Sequence, residues 1–219
     1  MTNPQTRSES PSLAHDRTRS VFAQTMGFVA LTAALFAGGA YLGQNLTGGV
    51  GILAFIASLA CLIGMQFSTQ KANMRTTVAL LAAFGLTLGL AVAPTLADYA
   101  RADPTALWQA GWATALLIAG FGIAGWNTRV DLTALARVLS WALLGLIVFG
   151  IVVLFFAIPG GSIIYSVVGL VIFAGYTLFD FQRLRRSSDV ESAPLLAASI
   201  FLDILNVFLL FVGLFSRDK

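Results

Sequence analysis

Two aspartates stand inside long apolar runs: Asp180, which closes Tyr176-Thr177-Leu178-Phe179-Asp180, and Asp203 in the run that follows. The other acidic residues, Glu9, Asp16, Asp98, Asp103, Asp131, Asp189, Glu191 and Asp218, fall in polar tails or loops. An aspartate at the centre of a membrane span costs roughly 2.5–3.5 kcal/mol on insertion scales, so each of the two needs a partner or an aqueous cavity. Two carboxylates at close range in low dielectric cannot both ionise easily, and such a pair shares a proton near neutrality or mild acidity. When deprotonated it repels itself and needs a cation, either Lys71, Arg75 or Arg183, or a bound metal ion. Calcium is the metal that hard carboxylate oxygens suit, and with one histidine, His15, and one cysteine, Cys61, there is no ligand set for zinc. On this reading Asp180 and Asp203 form a proton-sensing pair that could also hold calcium.

Helical spacing adds polar support. Tyr176 lies four residues before Asp180, while Ser199 and Asn206 lie four before and three after Asp203. The second run therefore carries a narrow polar stripe, which faces protein or water and not lipid. The plainer alternative is that each aspartate is a structural group bonded to a Ser, Asn or Tyr of a neighbouring helix. For two antiparallel helices joined by a turn, residues equidistant from the turn meet. The midpoint of 180 and 203 falls at Glu191 and Ser192, and the polar connection, Arg183 to Ala193, is centred about three residues earlier, an offset of about 5 Å. The aspartates can face each other if the first helix of the pair continues one turn into the basic segment.

What must position these residues is a membrane bundle. Of 219 residues, 58% are hydrophobic and 11% charged, and the apolar residues come in runs of about 20, long enough as helices to cross a bilayer core. Seven spans are predicted, over about 21–42, 50–67, 74–97, 105–126, 135–158, 162–182 and 194–215. Pro94 is expected to bend or end the third. Gly39 and Gly43 in the first span, and Gly85 and Gly89 in the third, have the four-residue spacing that lets backbones approach closely. Cys61 reads as a small apolar side chain with no disulfide partner. The predicted fold is an all-α polytopic membrane protein of seven transmembrane helices with helix 7 central in the bundle, preceded by a flexible cytoplasmic tail over 1–20 and followed by an outer tail over 217–219.

Loop charge gives the orientation. With the N-terminus in the cytoplasm, the inner face holds Arg7, Arg17, Arg19, Lys71, Arg75, Arg129, Arg137, Arg183, Arg185 and Arg186, and the outer face only Arg101, Arg217 and Lys219. The expected location is a bacterial inner membrane, multi-pass, with the C-terminus outside. The net charge of +3 does not point to nucleic acid, because the basic residues are scattered over loops with no aromatic-interleaved patch.

The segment Gly175-Tyr176-Thr177-Leu178-Phe179-Asp180-Phe181-Gln182-Arg183-Leu184 resembles the penultimate-helix signature of the Bax inhibitor motif family, and Ile200-Phe201-Leu202-Asp203-Ile204-Leu205-Asn206-Val207-Phe208 is similar to its last-helix signature. The resemblance implies a pH-sensitive calcium leak channel and modulator of stress or cell death, in which Asp180 and Asp203 close or open the pore. In bacterial members a basic residue at the cytoplasmic end of helix 2 pairs with an aspartate in the closed state. Lys71 occupies that position here, and without the bidentate fork of an arginine it should make a weaker latch. Helix 2 also lacks the glutamate that some relatives carry along the pore.

Calcium is thus expected as permeant or bound ion, with no cofactor. Two other functions fit the same residues. One is a membrane regulator that binds another protein, such as a membrane protease, through the tail and the basic loop Arg183 to Arg186. The other is a proton-coupled cation exchanger. An enzyme is not expected: intramembrane aspartyl proteases also use two aspartates, but the glycines and motif residues around theirs do not match.

Overall fold

In lipid a backbone can satisfy its own polar groups only by closing them into helices or a barrel, so each apolar run becomes a helix. The computed structural model of the chain describes residues 11–46, 49–156 and 158–216, with side chains from Arg19 onward. The helices are α1 (Pro11–Gly43), α2 (Val50–Gln70), α3 (Met74–Ala102), α4 (Pro104–Asn127), α5 (Thr133–Phe156), α6 (Gly161–Arg186) and α7 (Ala193–Phe215), the last preceded by a single 3-10 turn, Val190–Ser192. All seven are long and apolar enough to cross a membrane, α1 through its part Arg19–Gly43. There is no strand among the described residues.

Local chemistry sets the helix ends. The Asn73 side chain accepts the Thr76 N–H at 3.2 Å to start α3. Asp103 accepts the N–H groups of Thr105 and Ala106 at 3.1 Å to start α4, with Pro104 in the first turn, where its missing N–H costs nothing. Gly160 takes a positive φ of 72° to turn the chain into α6. Three bounds differ from expectation. α1 begins at Pro11, inside the segment read as a tail; residues 1–10 and 217–219 lie outside the described residues. α3 runs through Pro94 to Ala102, because a proline inside a packed membrane helix removes one hydrogen bond without stopping the helix. α6 continues past Gln182 to Arg186, the extra turn that facing aspartates required.

α1 and α2 pack on α3, and α4 and α5 pack on α6. α7 runs between the two groups and touches α1, α2, α3, α4 and α6. It is the most buried of the seven, with 56% of its apolar window covered against 11% for α2 and for α5. The predicted central position of helix 7 is therefore correct. Lipid tails are as apolar as leucine, so close packing drives this assembly more than removal from water does. The expected glycine contacts are present between α1 and α3: a Cβ on Gly85 would stand 2.8 Å from the Thr32 carbonyl oxygen, and one on Gly43 2.7 Å from the Ala93 Cβ. A core of Met65, Leu81, Phe84, Leu88, Ala197, Ala198, Phe201 and Leu205 joins α7 to α2 and α3, with the Phe84 and Phe201 rings edge to face at 6.2 Å.

Because consecutive spans alternate in direction, the 2–3, 4–5 and 6–7 connections share one face. It carries Lys71, Arg75, Arg129, Arg137, Arg183, Arg185 and Arg186, and is called the arginine face below.

Candidate functional site

Asp180 lies on α6 about 9 Å along the axis from the helix end on the arginine face. Asp203 lies on α7, and both side chains are buried, with 2% and 5% of their surface exposed. The Ser199 hydroxyl donates a hydrogen bond to Asp180 Oδ2 across the α6–α7 contact. The Thr177 hydroxyl stands beside Asp203, and Asp180 is close enough to act on Asp203 through its charge. Ser199 is thus level with Asp180, and Thr177 with Asp203. The aspartates are staggered by about one helical turn, roughly 5 Å along the axis, although α6 gains the extra turn that was expected to bring them level.

The two environments are unequal. Asp180 has the Ser199 hydroxyl and, one turn towards the arginine face, the guanidinium of Arg183. Asp203 Oδ2 is buried with no hydrogen-bond partner among the described residues. An orphan carboxyl oxygen in a dry interior is costly, so such an atom is worth explaining by a proton, a water or a cation that visits it.

Of the residues singled out in the sequence, the structure therefore brings together Asp180, Asp203, Ser199 and Arg183. Ser199 supports Asp180 on the facing helix and not Asp203 on its own. Tyr176 turns to α5: its hydroxyl donates to Ser140 Oγ at 3.2 Å and its ring packs 6.0 Å from Phe173. The Asn206 amide donates to the Leu202 carbonyl at 2.8 Å and lies on the side of α7 away from the arginine face. There it borders a cavity of about 570 Å³ between α3, α5, α6 and α7 that also exposes Tyr99, Ser162, Tyr165 and Ser166. That recess, lined mainly by apolar side chains, ends about one turn from Asp203. Lys71 and Arg75 are exposed and make no ion pair among the described residues, so neither latches the pair in this conformation. No cluster of three or more His, Cys, Asp or Glu occurs among the described residues. Two carboxylates and two hydroxyls are fewer than the six to eight oxygens that calcium takes, so a calcium ion here would need water as well.

Two residues went unrecognised in the sequence reading. Thr177, buried and three residues before Asp180, shares the helix face of the site, and that spacing is the signal that could have marked it. Gln182, also buried, ties the 4–5 connection to α6: its Oε1 accepts the Leu132 N–H at 3.1 Å and its Nε2 donates to the carbonyls of Val130 at 2.6 Å and Thr128 at 3.3 Å. Arg185 adds a bond to the Thr128 carbonyl at 2.6 Å, and Arg186 pairs with Asp131 at 3.3 Å. The Thr133 hydroxyl and N–H, at 2.7 and 3.0 Å, and then Arg186, hold the Asp131 carboxyl below its ordinary range. These bonds have long sequence separations and no local periodicity reveals them.

The family model described as "Inhibitor of apoptosis-promoting Bax1" matches residues 18–219. A protein of Deinococcus radiodurans is 29% identical, over 93% of this chain and 93% of its own length. A Helicobacter pylori protein is 30% identical over 75% of this chain and 73% of its own. The inner membrane protein YbhL of Escherichia coli is 24% identical over the same shares, 75% and 73%.

Proposed function

The chain belongs to the Bax inhibitor family, and from that premise we propose that it is a pH-sensitive, calcium-permeable leak pathway gated by protonation of Asp180 and Asp203. The observation that carries the reading is the pair itself: two buried carboxylates on facing helices, one with an oxygen that lacks any partner among the described residues. A proton shared between the two supplies the missing donor and favours close packing of α6 on α7. Loss of that proton leaves like charges in low dielectric, which favours their separation or the entry of a cation and water. The recess that ends near Asn206 supplies the other half of a path, and within its mainly apolar wall Tyr99, Tyr165 and Ser166 offer oxygens without fixed charge. Calcium in this reading is the passing ion, and the sparse set of oxygens around the pair suits transit better than retention.

The arginine face is assigned to the cytoplasm by its excess of basic residues, with the N-terminus inside and the C-terminus outside. Membership in a family that includes a bacterial inner membrane protein supports the inner membrane as location. Lys71 and Arg75 stand on the same face as the pair and become latch partners only if α2 moves towards α6.

The test is calcium flux into dye-loaded liposomes, titrated against pH, for the wild type and for Asp180→Asn and Asp203→Asn. The expected result is a pH-dependent flux in the wild type and a flattened profile in both variants. Flux that keeps its profile in the variants, or that is absent at every pH, overturns the reading. Absence of flux together with a stable protein partner recovered from native membranes would favour a regulator instead.

A further inference from the structure

At the rim of the arginine face a second cavity, of about 510 Å³, opens between the end of α6, the 6–7 connection and the start of α5. Its polar wall comprises Arg183, Arg186, Thr133, Ser187, Ser188 and Ser192. Arg183 and Arg186 are three residues apart on the last turn of α6, so their guanidinium groups leave the helix on one side. Arg183 makes no ion pair among the described residues, and Arg186 spends one nitrogen on Asp131 in a pair exposed at both ends. A guanidinium has five donors in a planar fork, which leaves both arginines with donors to give.

Two of the serines beside them are bonded to each other. Ser192 is the N-cap of α7 and makes no capping bond; its hydroxyl lies 2.9 Å from that of Ser187 and donates to the Asp189 carbonyl at 2.7 Å. The start of α7 is closed by the 3-10 turn, where the Val190 carbonyl accepts the Ala193 N–H and the Asp189 carbonyl that of Ser192, so the backbone there leaves the cavity to the side chains. Asp189 is the one acidic lining residue, and its Oδ1 is engaged by the Glu191 N–H at 2.9 Å. On this wall the Thr133 hydroxyl already donates to Asp131, and those of Ser187 and Ser192 are bonded to each other and to the Asp189 carbonyl, so the donors left over are those of the two arginines and the Ser188 hydroxyl. A tetrahedral oxyanion suits them, with oxygens for both guanidinium forks and one for Ser188.

The geometry points to this cavity as a binding site for a phosphate group, either the headgroup of an anionic lipid at the membrane surface or free phosphate. The site does not depend on the leak reading, but Arg183 also stands beside Asp180, so an occupied cavity and the carboxylate pair draw on one guanidinium.

The test uses the full chain in maltoside micelles and follows thermal unfolding in two arms. One adds inorganic phosphate against chloride at equal ionic strength, and the other adds dioleoyl phosphatidic acid against dioleoyl phosphatidylcholine. Saturable stabilisation is expected in at least one arm, with apparent affinity about tenfold weaker or more in Arg183→Gln and in Arg186→Gln, and unchanged in Arg137→Gln, which removes an equal charge from the same face outside the cavity. Stabilisation in the phosphate arm alone names free phosphate as the ligand, and in the lipid arm alone an anionic headgroup. If either arginine variant elutes as an aggregate, Arg183→Lys or Arg186→Lys at the same position takes its place; it keeps the charge but loses the planar fork and should also weaken binding. No stabilisation in either arm, or equal weakening in Arg137→Gln, overturns the proposal.

Discussion

Gly125 on α4 is where the position of Asp180 depends most directly on the absence of a side chain. α4 lies so close to α6 there that a Cβ on Gly125 would overlap the Leu178 carbonyl oxygen and stand 2.9 Å from the Leu178 Cα, closer than the 3.0 Å below which something must shift. The obstruction is backbone, which cannot rotate away as a side chain can. Gly125→Ala must therefore part the two helices by about an ångström, and overpacking of that kind costs typically about 1–3 kcal/mol. Gly120→Ala on the same helix is the control: a Cβ there meets nothing within 4 Å, and alanine in a helix interior is better than glycine by roughly 0.5–1 kcal/mol. The two variants change the same atoms on one helix and should move stability in opposite directions. The assay is thermal unfolding in detergent, where each kcal/mol shifts the midpoint by roughly 2–4 °C for a chain of this size. Since Leu178 is two residues from Asp180, Gly125→Ala should also shift the pH profile of any flux, and Gly120→Ala should not. If the two variants unfold at the same temperature, α4 and α6 are not in the close contact described and the argument fails.

Further outcomes follow from particular bonds. Gln182→Leu leaves the Leu132 N–H and the Val130 carbonyl without their buried partner, at a cost of about 1–3 kcal/mol, and should accelerate hydrogen exchange at the Leu132 amide while amides at the centre of α7 stay protected. Ser199→Ala removes the only hydroxyl bonded to Asp180 among the described residues, so it should alter the pH dependence of flux, with Ser199→Thr restoring it; an unaltered profile in Ser199→Ala would mean that the bond is structural. The Asp131 carboxyl is held low chiefly by the Thr133 hydroxyl, so its stabilising contribution is present above the ordinary carboxylate range and is lost as pH falls through its depressed value. Thr133→Ala should return its titration, followed by carboxyl NMR, towards the ordinary range, and no change would deny the bond.

Much of this was legible in the sequence, for physical reasons that can be named. Seven runs of apolar residues leave little choice but seven helices, because lipid supplies no partner for an unsatisfied backbone. Asp180 and Asp203 were conspicuous because charge is expensive in such runs, and the symmetry of a hairpin gave their stagger to within a turn. Glycine pairs four apart marked where backbones approach closely, but not that the first and third helices are the ones that meet. What escaped was direction around each helix. Tyr176, at perfect spacing, turns to Ser140, while Thr177 beside it takes the place at Asp203. A difference of one residue rotates a side chain by about 100°, and only the packing of α5 against α6 decides between them.

The same logic explains why α7 had to be the central helix. Its polar stripe of Ser199, Asp203 and Asn206 needs protein or water on every side that it faces, and only a helix enclosed by α1, α2, α3, α4 and α6 can present polar groups in two directions without meeting lipid. Ser199 and Asp203 turn to α6, and Asn206 borders the recess that opens away from the arginine face. Between Asp203 and Asn206 lies a single turn of α7, so one layer of side chains separates the carboxylate pair from that recess. A change of charge on two facing carboxylates acts directly across the α6–α7 contact that bounds it.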